Sequence, residues 1–223
     1  RINVSEKVIS YFNGMQDNGL LVTAKHFPGH GDTDSDSHKT LPVINHSLER
    51  LDSIELFPFR EAIAKGLTGI MVAHLHIPVL DSAEDRATTL SKNVVTNLLK
   101  EEMGFQGLIV TDALNMKGVS NYFKPGELEV EAVVAGNDIL LMPADIGKAI
   151  GSIKRAIRKG TIPEQQINDQ CRKILMAKAW LDLENRKPIN TEKLTDRLND
   201  RKYLSLQHRL IENAITVVKN NEE

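Results

Sequence analysis

The sequence predicts an α/β protein in which parallel strands alternate with helices. Four short, continuous apolar runs lie at residues 20–25, 68–74, 107–112 and 138–142, a pattern typical of strands that are covered on both faces. Helical patterns separate these runs, and short strand–helix–strand connections form right-handed crossovers in a parallel sheet. Four such units correspond to about half of an eight-fold barrel of ~250 residues. The pattern therefore predicts either the second half of a (β/α)8 TIM barrel or a small open sheet.

The predicted helices have recognisable start and stop residues. The pattern from Ser47 to Lys65 has a broad apolar stripe that is interrupted at Pro58, which predicts two helices. Ser91 is a favourable N-cap for a helix that ends before Gly104. Three further helices are predicted, at residues 127–135, 146–159 and 163–183.

The sequence changes character after residue 183. Residues 184–201 are polar and contain Pro188, residues 204–214 form a short helical pattern, and residues 215–218 (ITVV) resemble the beginning of a strand. The first residue is Arg1 rather than Met. We therefore expect the C-terminal portion of a barrel domain at residues 1–185, a linker at 186–202 and the truncated start of a second α/β domain at 203–223.

The composition excludes several classes of function. The chain has 30 acidic and 28 basic residues, and no segment combines Lys and Arg with aromatic residues as a nucleic-acid-binding surface does. Cys171 is the one cysteine, so an intrachain disulfide framework is excluded. No apolar run approaches the ~20 residues of a membrane span. Neither nucleic acid nor a membrane span is therefore expected.

Residues 25–38 (KHFPGHGDTDSDSH) follow the first predicted strand and carry the strongest functional signal. They contain three His, three Asp and one Lys, together with Pro28, Gly29 and Gly31. A core cannot accommodate so many ionisable groups, because each would need a partner once it is desolvated. Loops that follow the strands of α/β enzymes carry the chemistry. This segment is therefore predicted to be an active-site loop.

The other predicted strands also end in polar or ionisable residues. The first strand ends at Lys25 and His26, the second at His74 and the third at Asp112. In a parallel barrel these ends converge on one mouth. Asp112 follows an apolar strand, where a carboxylate is costly as a core residue and useful as a nucleophile. The alternative is that Asp112 caps the helix that follows.

The Asp36-Ser37-His38 triplet is a second catalytic candidate. An Asp two residues before a His can hydrogen-bond one imidazole nitrogen and raise its basicity. The other nitrogen is then available to transfer a proton near neutral pH. The alternative is a solvated loop without catalytic function.

A metal site is the rival interpretation of the same loop. It would draw ligands from His26, His30, Asp32, Asp34, Asp36 and His38, with His74 and His76 as additional candidates. The spacing matches no established metal motif, and Lys25 would bring a positive charge. The dinucleotide and P-loop glycine motifs are also absent from the sequence. The sequence therefore predicts neither a metal nor an organic cofactor.

Two segments together resemble glycoside hydrolase family 3. Residues 25–31 (KHFPGHG), followed by Asp36-Ser37-His38 and Leu41-Pro42, are similar to one family motif, and residues 110–118 (VTDALNMKG) resemble the nucleophile segment. The triplet resembles that of the bacterial β-N-acetylglucosaminidase branch. The resemblance covers about residues 1–185 and implies a (β/α)8 barrel whose first strands lie outside this sequence. In longer members an α/β sandwich domain follows the barrel.

The resemblance also implies a mechanism. Asp112 is similar to the catalytic nucleophile and His38 to the acid/base, which Asp36 orients. Retaining glycosidases form a covalent glycosyl–enzyme intermediate, usually with a second carboxyl group as acid/base. The resemblance implies that a His replaces that second carboxyl group here.

Substrate-binding residues are implied in the same way. Lys25 and His26 resemble the pair that hydrogen-bonds the hydroxyls of the terminal sugar. Met116 is expected to line the pocket. His74 is a further substrate-binding candidate because it lies at the end of a predicted strand. The expected substrate is a glycan with a terminal β-linked GlcNAc, in peptidoglycan or muropeptide fragments. A β-glucosidase or β-xylosidase, or a carbohydrate-binding remnant without catalysis, is the alternative. Cytoplasmic and cell-envelope or secreted locations both fit the sequence.

Overall fold

The computed structural model describes residues 1–33 and 40–219. The chain divides into two compact units, residues 1–184 and residues 185–223. Within the described ranges, no helix combines the length and the apolarity needed to cross a bilayer.

The first unit contains a three-stranded parallel sheet. Its strands are β1 (Thr23–Phe27), β2 (Gly69–Val72) and β3 (Leu108–Thr111), in the order β1-β2-β3. The β2–β3 pairing is regular from Gly69 opposite Leu108 to Val72 opposite Thr111. The β1–β2 register shifts between Ala24 and Phe27, so the last residues of β1 leave the regular ladder. The prediction of a parallel α/β arrangement is confirmed.

The fourth predicted strand, residues 138–142, forms only an isolated parallel bridge between Val110 and Ile139. Side chains replace ladder bonds on both sides of this bridge. The Asp138 carboxylate accepts the backbone N–H of Ile109, and the Thr111 hydroxyl accepts the N–H of Leu141. Met142 then has a positive φ of 48°, which ends the extended conformation.

Helices surround the sheet in the first unit. An initial helix, which the sequence analysis did not predict, contains Gly14 and several β-branched residues that weaken a helical signal. The break predicted at Pro58 is found as a change of helix at Leu56, with Pro58 in the first turn of the next helix. The helices of this unit are α1 (Ile2–Gln16), α2 (Leu48–Arg50) continuing as a π-helix (Leu51–Glu55), α3 (Phe57–Ala64), a second π-helix (Asn93–Glu102), α4 (Lys117–Ser120), α5 (Glu127–Ala135), α6 (Ile146–Arg158) and α7 (Glu164–Trp180).

The main core lies between the sheet and the helices that pack on it. It joins Phe12 of α1, Leu99 of the second π-helix, and Phe27, Ile70 and Ile109 of the three strands. These side chains fix the strands relative to one another, and therefore also fix the points at which the strands end.

The second unit contains the helices α8 (Leu194–Leu198) and α9 (Arg201–Ala214). Residues 215–218, which resemble the beginning of a strand in the sequence, are not in a strand in the structure. A strand needs a neighbour to complete its backbone hydrogen bonds, and these residues have no strand partner among the described residues.

Candidate active site

Asp112 follows the last residue of β3, at the carboxyl end of the sheet. Its backbone N–H donates to the carbonyl of Val72, the last residue of β2, at 2.9 Å. The backbone of Asp112 is therefore still held by the sheet although its side chain is beyond the strand. This is where a residue can be both accessible and rigid.

The Asp112 carboxylate has two oxygens in different environments. Oδ1 accepts the backbone N–H of Ala113 at 2.8 Å, whereas Oδ2 lies 3.6 Å from Nε2 of His26. The side chain is 15 % exposed, so the carboxylate is partly desolvated and still reachable. The alternative helix-capping role is not supported, because the N-cap of α4 is Met116 and it makes no side-chain capping bond.

His26 reaches Asp112 from the end of β1. β2 lies between β1, which contains His26, and β3, which Asp112 follows. The side chain of His26 is 27 % exposed. Its ring also makes an edge contact with the ring of His30, with centroids 5.8 Å apart. The peptide bonds Lys25–His26 and Phe27–Pro28 are both cis. The structure therefore brings together the predicted residues Asp112 and His26.

Lys25 is placed differently from His26. It is exposed and lines a cavity of about 570 Å³ between β1, α1 and α3, together with Phe12 and Phe59. Lys25 therefore lines a cavity on the α1 and α3 side of β1, whereas His26 lies beside Asp112.

His74 lies behind Asp112 and is fully buried. Its Nε2 donates to the carbonyl of Ala113 at 3.1 Å, and its Nδ1 lies 2.8 Å from the hydroxyl of Thr89. Burial lowers the pKa of His74, while the Ala113 carbonyl and the negative charge of Asp112 act in the opposite direction. Because a carbonyl oxygen only accepts, Nε2 carries a proton, and burial favours the uncharged ring. Because a fully buried ring has no surface for a sugar, its place in the structure is that of a support for the 112–113 backbone.

Of the remaining predicted site residues, one lies within the described part of the chain and two lie outside it. Met116 is buried and begins the turn into α4. Asp36 and His38 lie outside the described residues. Thr89, which contacts His74, was not singled out in the sequence, although the Thr88-Thr89 pair before a helical pattern is a visible polar signal.

The chain is similar in sequence to known proteins over most of its length. The model of the "Glycosyl hydrolase family 3 N terminal domain" matches residues 2–177. "Beta-hexosaminidase A" from Pseudoalteromonas piscicida is 34% identical over 225 residues, which cover 91% of this chain and 37% of that protein. A "Beta-N-acetylglucosaminidase/beta-glucosidase" from Cellulomonas fimi is 28% identical over 217 residues, covering 94% of this chain and 38% of that protein.

A solved structure is similar as well. It is a family 3 β-N-acetylglucosaminidase from Paenibacillus sp. str. FPU-7, with 39% sequence identity and a TM-score of 0.76. The match covers 80% of this chain and 34% of that chain. The chain thus spans well under half the length of each of these relatives.

Proposed function

The chain belongs to glycosyl hydrolase family 3, and from this premise we propose that it supplies the nucleophile of a retaining exo-β-N-acetylglucosaminidase. The observation that carries the proposal is the Asp112 carboxylate, held at the end of β3 and still exposed to a ligand. We further propose that the three-stranded parallel sheet is part of a (β/α)8 barrel, in which the carboxyl ends of all strands meet at one mouth. No cofactor is needed in this proposal.

The first chemical step assigned to Asp112 is nucleophilic attack. Its carboxylate forms a bond to the anomeric carbon while the bond from that carbon to the leaving oxygen breaks. His38 donates a proton to the leaving oxygen, and Asp36 orients its ring. The fixed hydrogen bond from Ala113 to Oδ1 supports this role, because it leaves Oδ2 as the attacking atom.

The second step releases the sugar. Neutral His38 takes a proton from water, the water oxygen forms a bond to the anomeric carbon, and the ester bond to Asp112 breaks. Two displacements at one carbon retain its configuration. The proposal thus assigns the two proton transfers to one histidine whose ordinary pKa is near neutral.

His26 is proposed to bind the sugar beside the nucleophile. Its Nε2 is 3.6 Å from Asp112 Oδ2, so its ring lies beside the sugar that Asp112 would attack. Lys25 and Met116 remain proposed substrate-binding residues on the family resemblance. His74 is proposed as a positioning residue instead, because its ring is fully buried against the Ala113 carbonyl.

The proposed natural substrates are peptidoglycan or muropeptide fragments with a terminal β-linked GlcNAc. The name of the Paenibacillus protein supports the GlcNAc preference, and the name of the Pseudoalteromonas protein supports a hexosaminide substrate. The name of the Cellulomonas relative favours a second candidate, a β-glucosidase. A non-catalytic carbohydrate-binding protein is the third interpretation.

The test is release of p-nitrophenol from the β-N-acetylglucosaminide and from the β-glucoside by the full-length protein. We expect preference for the acetylated substrate, and a loss of kcat of about 10⁴-fold in Asp112→Asn, as for removal of a nucleophile. Asp145→Asn is the matched control, since Asp145 is an N-cap residue of α6 and lies outside the site. Preference for the plain glucoside would favour the second candidate, and binding without turnover would favour the third.

The role of His38 has a test of its own. His38→Ala should slow hydrolysis of substrates with poor leaving groups far more than of p-nitrophenyl substrates, because only poor leaving groups require the proton. Equal losses for both classes of substrate would contradict the acid role.

A further inference from the structure

Four charged or titratable side chains meet beneath the loop that follows β1. Nε2 of His46 is 2.9 Å from Oδ2 of Asp32, and the guanidinium of Arg50 lies 3.5 Å from the same oxygen. Arg50 also contacts Oε1 of Glu55 at 3.0 Å. Asp32, Arg50 and Glu55 line a cavity of about 400 Å³. This group, called here the Asp32–Glu55 cluster, plays no part in the proposed reaction.

Glu55 is the unusual member of the cluster. Its side chain is only 7 % exposed, because the backbone at Gly29 lies directly against it: a Cβ at Gly29 would be 2.7 Å from the Cβ of Glu55. Oε1 is paired with Arg50, but Oε2 is buried without a hydrogen-bond partner among the described residues. A buried carboxylate oxygen without a partner is costly, which indicates that a further positive group belongs beside it.

The donor set fits a transition-metal cation. One carboxylate oxygen each from Asp32 and Glu55 and one imidazole nitrogen from His46 all lie within 4.8 Å of one another. Tetrahedral Zn²⁺ with bonds of about 2.1 Å holds its ligand atoms about 3.4 Å apart, so the three side chains need to move inward by only about an ångström. Imidazole with carboxylates, and water as a fourth ligand, is a coordination set that zinc accepts.

Arg50 occupies the position of that cation in the structure. Its side chain is 44 % exposed, so the guanidinium can turn into solvent once a cation takes over its contacts with the two carboxylates. Arg1 also lines the cavity, but its guanidinium donates to the carbonyl of Ser53. A divalent cation would bring two positive charges to two carboxylates, where Arg50 brings one.

We propose that Asp32, His46 and Glu55 form a Zn²⁺ site, which the cation enters by displacing the guanidinium of Arg50. Asp32 precedes and His46 follows the segment 33–45. The bound cation would therefore cross-link the two ends of this segment to the helix that carries Glu55.

The test is titration of the chelator-treated full-length protein with ZnCl₂, followed by calorimetry, and with CoCl₂, followed by visible absorption. We expect one site that is weakened at least tenfold in His46→Ala and in Glu55→Gln. Arg50→Met should tighten zinc binding, because it removes the competing cation. Since a misfolded variant would not bind more tightly, this change separates the proposal from a folding defect.

Glu49→Gln is the matched control, an exposed acidic residue in α2, and should leave the zinc affinity unchanged. Absence of zinc binding, binding that the His46 and Glu55 variants do not weaken, or weaker binding in Arg50→Met would each overturn the proposal. Because zinc binding is measured directly, these outcomes are independent of whether the glycosidase proposal holds.

Discussion

The two sides of the candidate site are held by different kinds of interaction. Beside β2 and β3, the buried side chains of His74 and Thr89 form hydrogen bonds to each other and to the backbone. Beside β1, ion pairs of Asp32 with His46 and Arg50 hold the loop, and the side chain of Asp32 is 60 % exposed. Salt screens exposed ion pairs and affects buried hydrogen bonds little. Asp112, the proposed nucleophile, therefore has a fixed setting, while the facing loop depends on its ionic environment.

The largest expected effect concerns a tight backbone contact on the β1 side. Gly29 has φ of 138° and lies against Glu55, so Gly29→Ala combines a strained backbone with a steric clash and should destabilise the protein by about 2–3 kcal/mol. Gly31→Ala is the matched control, because a Cβ at Gly31 meets no atom within 4 Å. Urea unfolding measures the free energy of unfolding of both variants. Equal losses in Gly29→Ala and Gly31→Ala would show that the contact with Glu55 does not hold the loop.

The second effect concerns the buried hydroxyl of Thr89 on the β2–β3 side. Thr89→Val keeps the shape of the side chain but removes the hydroxyl that contacts Nδ1 of His74 and donates to the carbonyl of Ala73, at an expected cost of about 1–3 kcal/mol. Thr161→Val, at an exposed threonine, should change the free energy of unfolding by less than about 0.5 kcal/mol. If Thr89→Val lowered the free energy of unfolding no more than Thr161→Val does, the β2–β3 side would not depend on the Thr89 hydroxyl.

The third effect is a pH dependence that belongs to His74. Burial lowers its folded-state pKa below the ordinary value of about 6.5, so below pH 6.5 the unfolded chain binds more protons than the folded protein. The stability that His74 contributes is therefore present above pH 6.5 and lost as the pH falls. Between pH 7 and pH 5.5 the free energy of unfolding should therefore fall in the wild type, and this fall should be absent from His74→Gln. An identical pH profile for both proteins would contradict a neutral buried His74.

The smallest effect is expected at the exposed ion pairs of the β1 side. Asp32→Asn should cost less than about 1 kcal/mol in low salt and nothing measurable in 1 M NaCl. Unfolding of Thr89→Val, by contrast, should be equally affected at both salt concentrations. A salt-independent loss in Asp32→Asn would remove the distinction between the two sides.

Sequence patterns predicted the parts of the fold that depend on local chemistry. Continuous apolar runs identified β1, β2 and β3, and the ionisable residues that follow them identified the edge where Asp112 and His26 meet. The fourth run failed as a strand because the side chains of Asp138 and Thr111 take over ladder bonds, which no periodicity records.

The sequence indicated which residue types follow the strands, but it did not indicate how their side chains pack. His74 has the sequence position of a ligand-binding residue, but tertiary packing buries it against the Ala113 carbonyl. The Asp32–Glu55 cluster joins residues from a loop and a helix that no single sequence motif contains. Only the fold brings such groups together.

The most direct test of the central claim is to trap the intermediate on the nucleophile. The full-length protein would be incubated with a 5-fluoro-β-N-acetylglucosaminide that has a good leaving group, then digested and analysed by peptide mass spectrometry. The account predicts a covalently bound sugar on Asp112 that disappears in Asp112→Asn. A covalently bound sugar on another residue, or continued turnover without any covalent intermediate, would contradict it.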